Sequence, residues 1–202
     1  MLTKTQAKIM QVFTAKITEL FSIRSIEREL KMNYSLVHRA IKPLIEKHKL
    51  LQSNKQNYLS LNYKENHDVL AFIEYQRRNE FLKKPKNTYL AMCLRDFVDE
   101  FKEENFVLLV FGSAVDKNDP NDIDILLIID SMEKIEPAEL QLHNTGRNYG
   151  VENLHVVAIS YESVYEMLGL RDQHNVMNEV LNKHIIIHGA ELFYRLLKKG
   201  RK

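Results

Sequence analysis

The segment from Phe106 to Asp130, FVLLVFGSAVDKNDPNDIDILLIID, constrains the fold more than any other part of the chain. It opens with a run of β-branched and aromatic residues that ends at Gly112, which is typical of a buried strand. The residues after Gly112-Ser113 are rich in Asp, Asn, Lys and Pro, as expected of a loop. Asp122-Ile123-Asp124 then begins a second apolar run. The segment therefore predicts two strands joined by a short polar loop.

The two carboxylates that begin the second strand are predicted to lie side by side. Because alternate side chains of a strand share a face, Asp122 and Asp124 project together while Ile123 points into the core. Adjacent carboxylates repel each other unless a cation lies between them, and Mg²⁺ is commonly held by one or two carboxylates plus substrate phosphates. Gly112 permits close approach of the backbone to a phosphate, and Ser113 offers N–H and hydroxyl donors. The alternative is that Asp-x-Asp is only the solvated start of a strand.

This order of strand, Gly112-Ser113, polar spacer and Asp122-x-Asp124 resembles the nucleotidyltransferase superfamily of DNA polymerase β, and most closely its minimal prokaryotic and archaeal members. The resemblance covers about the C-terminal half of the chain, from Phe106 onward. It implies that Gly112 and Ser113 hold a nucleoside triphosphate, with ATP as the first candidate. It also implies that Asp122 and Asp124 are catalytic carboxylates that bind Mg²⁺ or Mn²⁺.

The chain departs from the pattern of these enzymes in two places. The spacer between Ser113 and Asp122 has eight residues, about two fewer than expected of the minimal members. It also lacks the Arg-Gly pair that is often found there. The third carboxylate of the family corresponds to His155, whose imidazole can bind Mn²⁺ or Zn²⁺ but suits Mg²⁺ poorly. His155 is therefore a candidate third metal ligand, and the sequence leaves open whether the site is catalytic or only binds a nucleotide.

The first 62 residues predict three helices followed by a β-hairpin, because apolar residues first recur at spacings of three and four and then form two short runs around a polar turn. The predicted helices cover 5–21, Ser25–Lys31, and a third stretch from an N-cap at Ser35 to Ile45. Pro43 lies inside the third helix and is expected to kink or locally break it. The predicted strands are Leu50-Leu51 and Tyr58–Leu61.

This order of elements resembles the winged helix-turn-helix domains of prokaryotic transcription regulators. The resemblance implies that the third helix enters the major groove of DNA and that the hairpin tip reaches a phosphate. Residues 1–66 carry twelve Lys or Arg and five Asp or Glu, a local net charge of +7, and the remaining residues carry −5. Such asymmetry favours a nucleic-acid-binding part, although a winged helix used for protein contacts is the alternative. The residues expected to contact DNA are Tyr34, Ser35, His38, Arg39, Lys42 and Lys55.

Composition excludes several other classes of protein. The single cysteine, Cys93, excludes an internal disulfide framework and fits a reducing compartment. No apolar run approaches the ~20 residues of a membrane span, and the first residues do not have the pattern of a signal peptide. We therefore expect a cytoplasmic protein with no membrane partner. The expected fold class is α+β, with a winged helix-turn-helix domain at 1–62, a helical linker at 63–87 and, at 88–202, a nucleotidyltransferase domain whose mixed sheet is flanked by helices.

Together these features predict metal-dependent transfer of a nucleoside monophosphate from an NTP to an acceptor that the sequence does not identify, coupled to DNA binding. One alternative is a DNA-binding transcriptional regulator whose inactive nucleotidyltransferase domain senses a nucleotide. A second alternative, implied by the resemblance, is the antitoxin of a toxin-antitoxin pair, with a small helical toxin as its partner. Many winged-helix regulators dimerise to bind two half-sites, so a homodimer is a candidate state.

Overall fold

The structure, a computed structural model, describes residues 2–53, 57–118 and 120–201. These residues form nine α-helices and six β-strands, so the fold class is α+β. None of the helices in the described ranges combines the length and the apolarity that crossing a lipid bilayer requires. The helices are α1 (Lys4–Ala15), α2 (Ile23–Leu30), α3 (Tyr34–Glu46), α4 (His67–Leu82), α5 (Thr88–Glu100), α6 (Ile135–Asn148), α7 (Tyr161–Gly169), α8 (Val176–Val180) and α9 (Ala190–Gly200). The strands are β1 (Leu50–Gln52), β2 (Leu59–Leu61), β3 (Val107–Phe111), β4 (Ile123–Ile129), β5 (Leu154–Ser160) and β6 (His184–His188).

Three helices and a β-hairpin form the N-terminal part, in the predicted order. Two helix starts differ from the prediction, because residues nearer the amino end provide the caps. The hydroxyl of Ser22 accepts a hydrogen bond from the Ser25 N–H at 3.1 Å. The side-chain oxygen of Asn33 accepts one from the Ser35 N–H at 2.9 Å. Both satisfy a backbone donor that has no partner inside its own helix.

The ends of α1 and α3 also differ from the prediction. The first helix ends at Ala15, because the backbone beyond it bonds outside the helix and the Ile17 N–H donates to the Leu181 carbonyl at 2.9 Å. The third helix continues through Pro43, so the predicted break is wrong. Pro43 lies in the last turn, where its missing N–H removes a single hydrogen bond and the buried Leu44 anchors the helix end in the core.

The C-terminal part is built on a four-stranded mixed sheet with the strand order β5-β4-β3-β6. β3 pairs antiparallel with both β4 and β6, whereas β4 and β5 are parallel. Every residue of β3 is buried, which explains why this strand is a continuous apolar run and not an alternating pattern. One face of the sheet packs mainly against α5 and α6, and the other against α4, α7, α8, α9 and the N-terminal helices.

Helix α4 brings a cluster of charged and polar side chains into the core. Its residues Glu74 and Arg77 are buried together with His184 on β6 and Tyr194 on α9. The Arg77 guanidinium donates to both carboxylate oxygens of Glu74, at 2.9 and 2.7 Å, and to the His184 carbonyl at 2.6 Å. The Tyr194 hydroxyl donates to Glu74 Oε1 at 2.8 Å. We call these four residues the α4 cluster.

The α4 cluster keeps its carboxylate ionised and its phenol neutral. Burial alone would raise the pKa of Glu74, but the Arg77 charge, with His184 and Tyr194, holds that pKa below its usual range. Burial and the neighbouring Glu74 charge raise the pKa of Tyr194 well above its usual range, so the hydroxyl remains a donor. Arg77 therefore contributes to a fully paired buried charge and, through the His184 carbonyl, covers part of the edge of β6.

The N-terminal part is fastened to the segment that leads into β6. The Thr18 backbone N–H and its hydroxyl lie 3.0 and 2.8 Å from Asn182 Oδ1. Helix α4 contacts α1 of the N-terminal part and also α9 and β6. Most of the stretch 63–87 is therefore helical and is packed against both parts of the chain.

Breaking the α4 cluster should destabilise the whole fold. In Glu74→Leu the Arg77 cation stays buried without its carboxylate, so we expect the free energy of unfolding to fall by about 3–5 kcal/mol. The double variant Glu74→Leu/Arg77→Met should recover most of that loss, because both buried charges are then replaced by apolar groups. Urea unfolding followed by circular dichroism measures both changes.

The matched control is Glu191→Gln, which removes an exposed carboxylate paired with Arg195 at 2.9 Å. It should change the free energy of unfolding by less than about 0.5 kcal/mol. Equal effects of Glu74→Leu and Glu191→Gln would show that the α4 cluster does not hold the fold.

Candidate functional site

The predicted site residues converge at one edge of the four-stranded sheet. At this edge β3 ends and the other three strands begin. Phe111, the last residue of β3, is paired with Asp124 on β4 and with His184 on β6. Asp124 is in turn paired with His155 on β5. The sheet register therefore places His155, Asp124, Phe111 and His184 in one row across the strands.

Gly112 follows this row directly and packs against the carboxylate of Asp124. Its φ angle is +66°, which a residue with a side chain rarely adopts. A Cβ atom at this position would lie 2.5 Å from Asp124 Oδ2, closer than non-bonded atoms approach. The backbone at Gly112 can thus turn sharply and lie against the carboxylate only because the residue is glycine.

Ser113 lies in a 3₁₀ turn, Gly112–Val115, at the start of the polar loop, where three contacts hold the chain. The Ser113 carbonyl accepts a hydrogen bond from the Lys117 N–H at 3.0 Å. The Asp116 carboxylate lies 3.1 Å from the ammonium group of Lys183, just before β6. The ammonium group of Lys86 donates to the Lys117 carbonyl. The side chain of Ser113 is partly accessible at this anchored turn.

The predicted metal ligands differ in their surroundings. Asp124 is 26% exposed, and its Oδ1 lies 3.1 Å from Nδ1 of His155, whose side chain is 66% exposed. Asp122 is exposed and lies one residue before β4 begins. The start of β4 is fixed to the start of β5, since the Ile123 N–H donates to the Asn153 carbonyl at 2.9 Å. Asp124 and His155 are thus in direct contact, while Asp122 is at the solvent-exposed entrance of the strand.

The donor types at this edge fit a divalent cation that is shared with substrate phosphates. Asp122 and Asp124 offer hard carboxylate oxygens, which suit Mg²⁺ or Mn²⁺, and the imidazole of His155 suits Mn²⁺ better than Mg²⁺. Within the described residues, however, no three His, Cys, Asp or Glu side chains are arranged as a metal-binding group. A cation here would therefore depend on two carboxylates and on oxygen atoms from a ligand.

The residues predicted to contact DNA share one face of α3. Tyr34, Ser35, His38, Arg39 and Lys42 are all exposed, and the opposite face of the helix is buried in the core. The rings of Tyr34 and His38 stack with their centroids 6.0 Å apart. The Arg39 Nε–H donates to the Ser35 carbonyl at 3.3 Å. The sixth predicted contact, Lys55, lies outside the described residues.

A group of basic residues on and just after α2 was not among the residues predicted to contact DNA. Arg24, Arg28 and Lys31 are exposed and, with the carboxylate Glu27 and with Tyr34, border a shallow depression of about 750 Å³ between α2 and the start of α3. Spacings of four and three residues place these cations on one side of a helix, so the sequence did contain the signal. The exposed polar surface of α3 therefore continues onto α2.

Comparisons of the chain with protein-family models, with curated proteins and with solved structures found no match.

Two glycines provide a test of how Gly112 positions Asp124. Gly112 and Gly150 have nearly equal φ angles, +66° and +67°, but a Cβ atom at Gly150 would meet no atom within 4 Å. Alanine at either position should cost about 1–2 kcal/mol of folding free energy from backbone strain. Only Gly112→Ala should also displace the Asp124 carboxylate and its contact with His155.

The displacement can be followed in the NMR signals of the His155 ring, with urea unfolding to measure stability. We expect the ring signals to move in Gly112→Ala and to keep their positions in Gly150→Ala. Unchanged ring signals in both variants would contradict the inferred dependence of the site on Gly112.

Proposed function

We propose that this chain is a metal-dependent nucleotidyltransferase that transfers a nucleoside monophosphate from an NTP, with ATP as the first candidate, to an acceptor hydroxyl. The observation that carries the proposal is the packing of Gly112 against Asp124 at the end of β3. A phosphate-binding turn and a carboxylate that binds the cation must be adjacent for one nucleotide to contact both. The predicted Gly-Ser and Asp-x-Asp motifs meet this condition through a tight antiparallel pairing of two buried strands.

Different residues would bind the phosphates of the nucleotide and the cation. The backbone at Gly112, with no side chain in the way, and the N–H and hydroxyl of Ser113 would hold the β- and γ-phosphates. Asp122 and Asp124 would hold Mg²⁺ or Mn²⁺ beside those phosphates, with His155 as the third candidate ligand. When bound, the cation neutralises charge that develops on the departing pyrophosphate. The acceptor oxygen bonds to the α-phosphorus, the bond from that phosphorus to its bridging oxygen breaks, and the hydroxyl proton passes to solvent.

We further propose that residues 1–62 form a DNA-binding winged helix-turn-helix domain and that 88–202 form the nucleotidyltransferase domain, with the stretch 63–87 between them. The exposed polar face of α3 and the local net charge of +7 in residues 1–66 support this assignment. In it, α3 enters the major groove and the β1–β2 hairpin lies along the phosphate backbone. The basic side of α2 extends the surface available to phosphates.

A second candidate function is a DNA-binding regulator whose sheet domain senses a nucleotide without transferring it. The observation that favours it is the 3.1 Å contact between His155 Nδ1 and Asp124 Oδ1. This contact engages a carboxylate oxygen that a cation would otherwise use, at the position where the resemblance predicts a third carboxylate. The two functions differ in whether label from a nucleotide is transferred to an acceptor.

Label transfer from α-labelled NTPs tests the proposed reaction. The wild-type protein, with Mg²⁺ or Mn²⁺, should label one of three offered acceptors: itself, cell-lysate protein or total RNA. Asp124→Asn should abolish the transfer, because it removes the charge that holds the cation against the phosphates. The matched control is Asp130→Asn at the other end of β4, which should transfer label at the wild-type rate. If no acceptor is labelled with Mg²⁺ and none with Mn²⁺, the nucleotide-sensing regulator is favoured.

Fluorescence anisotropy with short duplex DNA of mixed sequence tests the proposed interface. The double variant Arg39→Ala/Lys42→Ala should lower the slope of log Kd against log salt concentration by about two, because two phosphate contacts are lost. The control Lys102→Ala/Lys198→Ala removes the same charge from exposed positions outside the interface. Equal salt slopes for both double variants would contradict the assignment of α3.

A further inference from the structure

A cleft between α4 and α5 lies apart from the candidate site. It has a volume of about 390 Å³, which is within the range of small-molecule pockets. Ile187, near the end of β6, lines the cleft, whereas the row of site residues crosses β6 at His184. Three residue steps along β6 place these positions about 10 Å apart. The cleft is thus a separate feature on the edge-strand side of the sheet.

The cleft combines an apolar floor with a cationic rim. Leu82, Leu94, Val98 and Ile187 contribute apolar surface to its lining. The cleft is also lined by three cationic side chains, those of Arg78, Lys83 and Arg95. Among the described residues that line it, Asp99 is the one with a carboxylate. A cleft of this composition favours a ligand with an apolar body and a negative charge.

Arg78 is held in place before any ligand arrives. Its Nη1–H donates to the Ile187 carbonyl at 2.8 Å, and its guanidinium lies 4.8 Å from the ring centroid of Tyr75. A guanidinium has five N–H donors. Among the described residues, the Ile187 carbonyl is the one hydrogen-bond acceptor for Arg78. The planar group is therefore fixed by a carbonyl and an aromatic ring while most of its donors remain for an oxyanion.

We infer that the cleft between α4 and α5 binds a small amphipathic oxyanion. The carboxylate or phosphate group of this ligand contacts Arg78 and Arg95, and its apolar body packs on Leu82, Leu94 and Val98. This binding is additional to the proposed nucleotidyl transfer and does not use Gly112 or Asp124.

Isothermal titration calorimetry of the full chain tests the inference with three probes that share one apolar body. These are 1-naphthoate, 1-naphthyl phosphate and the neutral 1-naphthalenemethanol. We expect saturable binding of at least one anion with a stoichiometry of one, and binding of the neutral probe that is weaker by about tenfold or more, because charge-assisted hydrogen bonds are lost. The better anion of the two identifies the head group that the cleft selects.

Variants locate the bound probe. Arg95→Gln, at an exposed rim position, and Arg78→Gln should each weaken anion binding about tenfold. The control Arg195→Gln removes an exposed arginine on α9 and should leave the affinity for the anion unchanged. Because Arg78 donates to the Ile187 carbonyl, Arg78→Gln also removes a hydrogen bond to β6. Arg95→Gln tests the same prediction without removing that hydrogen bond. Chemical-shift changes should map to Val98 and Ile187.

Three results would overturn the inference. The first is that no anion saturates up to millimolar concentration. The second is that the neutral probe binds as well as the anions, or that Arg95→Gln has no effect, since either shows unspecific apolar contact. The third is that the anion is displaced by ATP or lost in Asp124→Asn, which would place it in the proposed nucleotide site. The proposed function is unaffected by the first two results, so the two hypotheses fail separately.

Discussion

The buried pair of Glu74 and Arg77 is the interaction on which the arrangement of the molecule most depends. Desolvation of a buried carboxylate costs several kcal/mol, and here two hydrogen bonds from Arg77 and one from Tyr194 offset it. The same arginine donates to the His184 carbonyl on the edge strand β6. One buried charge pair therefore connects α4, α9 and the sheet, and α4 in turn contacts α1. Helix α4 therefore contacts both the edge strand β6 and the N-terminal helix α1.

The candidate site lies where β3 ends and where β4, β5 and β6 begin, and the α4 cluster packs at this end of the sheet. His184 belongs to the α4 cluster and is also paired with Phe111, which in turn is paired with Asp124. The loop after β3 is joined to the segment before β6 by the pair of Asp116 and Lys183. Thr18 reaches the same segment through Asn182. The proposed DNA-binding part and the proposed nucleotide site therefore both contact the short segment that precedes β6.

Sequence patterns predicted the elements that local chemistry determines. The continuous apolar runs of β3 and β4, the α+β class and the polar face of α3 all follow from residue periodicity. The helix caps at Ser22 and Asn33 were missed because another Ser lies two or three residues further on and competes as a cap. The burial of Glu74 and Arg77 could not be predicted, because charged residues at helical spacing usually face solvent and only the distant His184 and Tyr194 make their burial favourable. The contact of Asp124 with His155 likewise depends on the parallel pairing of β4 with β5, which no local pattern specifies.

The measurement that tests the central claim most directly is the binding of ATP by calorimetry, with and without Mg²⁺. It would compare the wild-type chain with the Asp122→Ala/Asp124→Ala double variant. If the edge of the sheet is a nucleotide site that depends on a cation, wild-type binding should require Mg²⁺ or Mn²⁺ and should be lost in the double variant. Binding of equal affinity without a divalent cation, retained in the double variant, would contradict the account and place the nucleotide elsewhere.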